Sequence, residues 1–155
     1  MPLLRAALSW NFVLATAICA SLLAQLIKVL LNLFIFHRFI AERMWGAGGM
    51  PSSHSATVCA MVVATGRYCG VNSPIFAIAA VLSIIVMYDA MGVRYETGEQ
   101  AKVLNKMFTE WMDQGFEQFQ LPHGKKLKEM VGHTPIEVVT GAALGIVLGF
   151  AMPMV

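Results

Sequence analysis

Four long apolar runs, broken by short polar segments, set the pattern of this 155-residue chain. The first extends from Asn11 to Phe36, more than the roughly 20 residues that cross a bilayer core. Its second half carries Gln25, Lys28 and Asn32, whose spacing puts all three on one helical face. Polar groups there are costly and face protein or water rather than lipid. Snorkelling of Lys28 towards the interface is the alternative for that residue. A polar connection over residues 37–50 holds His37, Arg38, Glu42 and Arg43. The second run begins within Gly48-Gly49-Met50-Pro51-Ser52-Ser53-His54-Ser55-Ala56 and ends near Tyr68. Its wealth of Ala, Val and Thr suits close helix packing. After a turn at Gly70-Val71-Asn72-Ser73-Pro74, the third run spans about Ile75 to Met91, with Asp89 in its last turns.

A dense polar segment, Gly92 to Gln100, comes next. From Ala101 to about Phe119, apolar residues recur with a helical period at Leu104, Met107, Phe108, Trp111 and Met112. Lys102, Lys106, Glu110 and Asp113 occupy the other faces. The pattern predicts an amphipathic helix lying on the membrane surface, with packing against a partner helix as the alternative. Lys125-Lys126-Leu127-Lys128 then leads through Gly132-His133-Thr134-Pro135-Ile136-Glu137 to a last run, Val138 to Val155, dense in Gly and Ala. The fold class expected is all-α: one integral membrane helical bundle over residues 1–155, with about four transmembrane spans and an interfacial amphipathic helix.

Composition strengthens this reading. Hydrophobic residues make up 57% and charged residues 13%, against roughly half and a quarter in soluble domains, and the mean hydropathy is +0.66. A net charge of only +2 gives no argument for a nucleic-acid partner. Cys19, Cys59 and Cys69 lie within or at the end of apolar runs without C-x-x-C spacing, and read as buried, inert thiols. The N-terminus has the look of a signal peptide, but its apolar run continues well past the small residues near Ala20, so it reads as a retained span.

With four spans, the loops after the first and third share one side of the membrane. That side, with span ends included, holds Lys28, Arg38, Arg43, Arg94, Lys102, Lys106, Lys125, Lys126 and Lys128, against Arg5 and Arg67 opposite. The positive-inside rule makes the crowded side cytoplasmic and places both termini outside. The polar motifs fall on the same side.

Two of those motifs carry candidate chemistry. Gly48 through Ala56 is a glycine turn feeding a helix N-terminus, where unpaired amides suit a phosphate or other oxyanion. Pro51 is expected in the first helical turn, where its missing N–H costs nothing, and His54 stands beside the anion site. In the second motif Glu137 follows His133 by four residues. A helix beginning near Thr134-Pro135 lets the carboxylate reach the imidazole, fix its tautomer and leave the other nitrogen nucleophilic. Glu137 as an ordinary first-turn acid is the alternative. For a metal, the four histidines lack H-x-x-x-H or H-E-x-x-H spacing. Asp89, Glu96 and Glu99 are the competing oxygen-ligand set for a hard cation, with Arg94 nearby against it.

Gly48–Ala56, Asp89-Ala90-Met91-Gly92-Val93-Arg94, Gly98-Glu99-Gln100-Ala101 and Gly132-His133-Thr134-Pro135-Ile136-Glu137-Val138 together resemble, over nearly the whole chain, the divergent branch of the type 2 phosphatidic acid phosphatase superfamily. Pro51-Ser52-Ser53-His54 is similar to the superfamily's Pro-Ser-Gly-His. His133 and Glu137 resemble the end of its third motif, with Glu for Asp. Lys28 stands where its first lysine would, but no Arg-Pro follows it and no Ser-Arg precedes His133 at the expected distance.

The resemblance implies a metal-independent lipid phosphatase without cofactor, working through a phosphohistidine. His133 would be the nucleophile, oriented by Glu137, and His54 the acid and base. Lys28, Arg94, Gly49 and the amides around Ser52 and Ser53 would hold the phosphate, with Gln25, Asp89, Glu99 and Gln100 as supporting polar groups. The expected partners are a lipid phosphate and the bilayer, with no nucleic acid, and the Gly/Ala-rich last run would permit the close helix contact of a homo-oligomer. The expected location is the plasma (inner) membrane, with active-site loops cytoplasmic. The missing arginines motivate a second reading, a non-catalytic membrane protein that binds or carries a phosphorylated lipid or anion.

Overall fold

A computed structural model describes residues 11–36, 49–114, 126–129 and 131–154. The expectations for Gly48, His37, Arg38, Glu42, Arg43, His123, Lys125 and the end of the amphipathic stretch beyond Gln114 lie outside the described residues. Those residues form five helices: α1 Phe12–Phe36, α2 Ser53–Cys69, α3 Pro74–Met91, α4 Val93–Asp113 and α5 Pro135–Ala151. Among the described residues there is no strand.

Four of the helix starts have a visible local cause, the first being the Asn11 side-chain oxygen, which accepts from the Leu14 amide at 3.0 Å and caps α1. The Ser73 hydroxyl accepts from the Phe76 amide at 3.2 Å and caps α3, with Pro74 in the first turn. Thr134 and Glu137 cap α5 reciprocally, with Pro135 in its first turn. A cap oxygen occupies an amide that the helix leaves unpaired, and proline has no amide to waste there. Ser52 caps α2, which corrects one expectation: Pro51 precedes the cap and lies outside the helix.

α2 is the central helix, packed against α1, α3 and α5. It is also the richest in small and hydroxyl residues, and Ser53, Ser55, Ala56, Val58, Cys59, Ala60, Ala64 and Thr65 are buried along it. α3 is far more apolar yet leaves Ile75, Ile78, Val81, Leu82, Ile84 and Ile85 exposed. This inversion suits a bundle in lipid, where apolar side chains gain nothing by leaving the solvent and close packing of small residues joins helices. Ala20, Ala24, Ala56 and Ala60 form the core, with Leu144 and Leu148 against it.

The glycines of the last run are used within the chain. A Cβ on Gly141 would collide with the Ser52 carbonyl oxygen, and one on Gly145 with that of Ala56. One on Gly149 would lie 2.7 Å from Val63 Cβ. Their four-residue spacing lets the α5 backbone lie directly on α2. At the far end, Arg67 of α2 donates to the carbonyls of Gly149 (2.6 Å), Phe150 (3.1 Å) and Met152 (2.7 Å), satisfying acceptors that α5 leaves open.

By length and composition, two stretches among the described residues could each cross a membrane: Phe12–Phe34 and one within Pro74–Asp113. α2 and α5 have 17 residues each. At about 26 Å they are somewhat shorter than a typical hydrocarbon core.

Two expectations are corrected here. The polar segment from Gly92 to Gln100 is helical from Val93 onward, so α4 starts eight residues before Ala101. Its buried stripe is Gly98, Ala101 and Asn105, while Val103, Leu104, Met107 and Met112 stay exposed. Small residues, not the apolar face, make the contact, because Gly98 admits the Glu129 carbonyl against the helix. Only Cys59 of the three free thiols is buried; Cys19 on α1 and Cys69 at the end of α2 are exposed.

Candidate active site

The site forms at the end of the bundle opposite Arg67, where α1 and α3 finish and α2 and α5 begin. Thr134 turns the chain into α5, and its amide donates to Glu137 Oε2 at 3.1 Å. The same oxygen lies 3.0 Å from His133 Nδ1. With a carboxylate as acceptor, Nδ1 carries the proton and Nε2 holds the lone pair. His133 is only 2% exposed, and its Nε2 is buried without a hydrogen-bond partner among the described residues. The backbone is fixed as well, since the His133 amide donates to the Ala90 carbonyl of α3 at 3.0 Å. Burial holds the His133 imidazole below its ordinary pKa. Glu137 opposes that shift, and the positive charges of Lys28 and Arg94 add to it.

The glycine motif meets this pair from α2. Gly49 adopts φ +88, in the left-handed region, and a Cβ there would lie 3.4 Å from Lys28 Cδ. Ser52 ties the motif to α5: its amide donates to the Glu137 carbonyl at 2.9 Å. Its hydroxyl accepts from the Ser55 amide at 3.4 Å and the Ser55 hydroxyl at 3.1 Å. The expectation that the Ser52 amide holds phosphate is therefore corrected, because α5 already uses it. The Ser53 hydroxyl accepts from Gln25 Nε2 at 3.5 Å, while Gln25 Oε1 is buried without a partner among the described residues.

His54 is exposed, with its ring centroid 5.8 Å from that of His133 and the two planes at 63°. Lys28 on α1, 2% exposed, lies within electrostatic reach of Glu137 and both histidines. Arg94 Nε donates to Asp89 Oδ2 at 2.6 Å, and this half-exposed pair lies beside the histidines. His54, Val86, Asp89, Ala90, Arg94, Val131 and His133 line a cleft with a cavity volume of about 20 Å³, room for about one water.

Gln25, Lys28, Gly49, Ser52, Ser53, His54, Asp89, Arg94, His133 and Glu137 are thus brought to one end of the bundle. Glu99 and Gln100 are not among the cleft residues: Glu99 accepts from Lys102 at 2.6 Å and Gln100 is exposed. Their motif contributes Gly98 instead. The competing cation set is not assembled, since Asp89 is engaged by Arg94 and Glu99 by Lys102. Among the described residues no three His, Cys, Asp or Glu side chains converge in a metal-binding arrangement.

Sequence reasoning missed Asn105. It is buried in α4 and hydrogen-bonded to the segment leading to His133. The available signal was an amide on the same helical face as Gly98 and Ala101, masked by the stronger apolar period of the other face.

A family model described as the divergent PAP2 family matches residues 9–148. A Bacillus subtilis (strain 168) protein named "uncharacterized membrane protein YuiD" is 39% identical over 144 residues, covering 89% of this chain and 91% of that protein. No solved structure gives a significant match.

Proposed function

This chain belongs to the divergent PAP2 family, and from that premise we propose that it is a membrane phosphatase acting on a lipid phosphate monoester or pyrophosphate. One observation carries the reading: a buried histidine bound through Nδ1 to a carboxylate, with Nε2 unpartnered, beside a second histidine on the same cleft.

In this reading His133 Nε2 forms the P–N bond as the bond from phosphorus to the lipid oxygen breaks. His54 gives its proton to the departing oxygen. It then takes a proton from water, whose oxygen bonds to phosphorus as the P–N pair returns to Nε2, releasing inorganic phosphate. Lys28, Arg94 and the first-turn amides of α2 at Ser53 and His54 stabilise the phosphoryl oxygens. The cleft accommodates only a water-sized guest as it stands, so substrate entry widens it. Arg94 is the movable wall, exchanging Asp89 for a phosphate oxygen.

We further read α1, α2, α3 and α5 as four spans, packed side by side with alternating direction. Charge asymmetry puts the site end at the cytoplasmic surface of the plasma membrane, with both termini outside. The exposed apolar residues of α4 lie on the interface, at headgroup depth.

The deciding experiment is phosphate release by the purified protein from a panel of phosphatidic acid, phosphatidylglycerophosphate and prenyl pyrophosphate, with and without chelator. Release is expected in both conditions, and His133→Ala is expected to abolish it. Normal turnover by that variant would overturn the mechanism. The absence of an Arg-Pro after Lys28 and of a Ser-Arg before His133 favours the second reading, a binder or carrier of phosphorylated lipid, which predicts retention of lipid phosphate without release.

A further inference from the structure

The segment before His133 is held by an unexpected residue. Asn105 lies in the middle of α4, where asparagine is a poor helix former, and it is only 5% exposed. Its Nδ2 donates to the Leu127 carbonyl at 2.9 Å and to Glu129 Oε1 at 2.8 Å. Its Oδ1 accepts from the Leu127 amide at 2.8 Å. Both donors and the acceptor of the amide are thus used on one segment, a match that Ala, Ser or Asp cannot reproduce. Two glycines make the fit close: Gly98 leaves room for the Glu129 carbonyl, and Gly132 for the Tyr95 amide.

His133 follows Gly132 directly. Its main chain is tied to α3 through Ala90 and its ring to α5 through Glu137. The segment leading into it has its side-chain anchor on α4. We propose that Asn105 is a positioning residue for the nucleophile, clamping Leu127–Glu129 to α4 so that His133 stays seated against Glu137 and the cleft. The proposal rests on the phosphatase reading above. It also gives α4 a part in the site through its buried face, separate from the apolar face that the sequence made conspicuous.

The test uses the full-length protein in lipid nanodiscs, comparing wild type with Asn105→Ala. A reacting group displaced by an ångström can cost about 10²-fold in rate, so kcat is expected to fall by about tenfold to 10²-fold. Two further readouts distinguish positioning from loss of folded protein. Carbethoxylation of His133 by diethyl pyrocarbonate, followed by mass spectrometry, is expected to accelerate as the seat loosens. The acid limb of the pH–rate profile is expected to move up as His133 gains water. The groups facing His133 are Lys28 from α1, His54 from α2, Asp89 from α3, Arg94 from α4 and Glu137 from α5, and none of these is altered by the substitution.

Unchanged kcat, pH limb and His133 modification in the folded variant would overturn the proposal. Should Asn105→Ala fail to fold, Asn105→Asp keeps the acceptor for the Leu127 amide but sets a carboxylate against Glu129. Adding Glu129→Gln supplies a donor to that carboxylate, though not to the Leu127 carbonyl, and is expected to restore part of the lost rate and of the protection of His133. Failure to restore either would count against the clamp. If wild type releases phosphate from no lipid in the panel, the phosphatase reading falls by itself. The His133 modification rates still decide whether Asn105 positions the ring.

Discussion

The proposed chemistry rests, at the residue scale, on His133 and Glu137. The carboxylate accepts from Nδ1 and from the Thr134 amide at once, so one side chain caps α5 and orients the ring. Glu137→Gln keeps the shape but can present its amide nitrogen to the ring, favouring the wrong tautomer. Turnover is expected to drop by about 10²-fold, measured as kcat on the best lipid of the panel. The pH dependence has a definite sign. Burial lowers the His133 pKa, so the neutral form, the nucleophile of the proposed reaction, persists below the ordinary imidazole value of about 6.5. The acid limb set by His133 should therefore lie below that value. Stability follows the same direction: between the lowered folded pKa and the unfolded value the unfolded chain binds more protons, so stability rises with pH across that window. The His133–Glu137 pair was legible in the sequence because four residues make one helical turn and Thr134-Pro135 marks a helix start. The use of the Ser52 amide by α5 was not, because it joins residues 85 positions apart.

At the scale of elements, the contact of α5 with α2 decides where the two histidines meet. Gly141 and Gly145 bring the α5 backbone onto the carbonyls of Ser52 and Ala56. Gly145→Ala should push the helices apart and cost about 1–3 kcal/mol, the usual range for overpacking. Thermal unfolding in detergent measures this, with Ala143→Leu on the exposed side as a control expected to stay near wild type. The density of Gly and Ala in the last run announced a close helix contact, but composition cannot choose between another helix of the chain and a second copy. α4 shows the converse. Its apolar period was plain in the sequence, whereas its buried stripe consists of Gly98, Ala101 and Asn105, residues with no apolar signal.

For the whole molecule, the two ends of the bundle differ in chemistry: Arg67 and the exposed Cys69 lie at one, the histidines and Lys28 at the other. The proposed topology predicts that Cys69, in a Cys19→Ser background, reacts with a membrane-impermeant maleimide from outside intact cells. A cysteine introduced by Lys126→Cys should react only after permeabilisation. Reversed labelling would invert the proposed orientation. The chain's hydropathy and the periods of its runs pointed by themselves to a helical membrane protein and its order of apolar helices, and its motifs to His54 and His133 among the four histidines, because these follow from local transfer energies and residue spacing. Only the tertiary structure decided that α2, rich in small and hydroxyl residues, lies at the centre, that the motif serine serves as a cap tied to α5, and that Asn105 is hydrogen-bonded to Leu127 and Glu129 ahead of His133. Those outcomes depend on which backbones approach closely enough for a missing Cβ or a single amide to matter, and that distance is a property of the packed bundle.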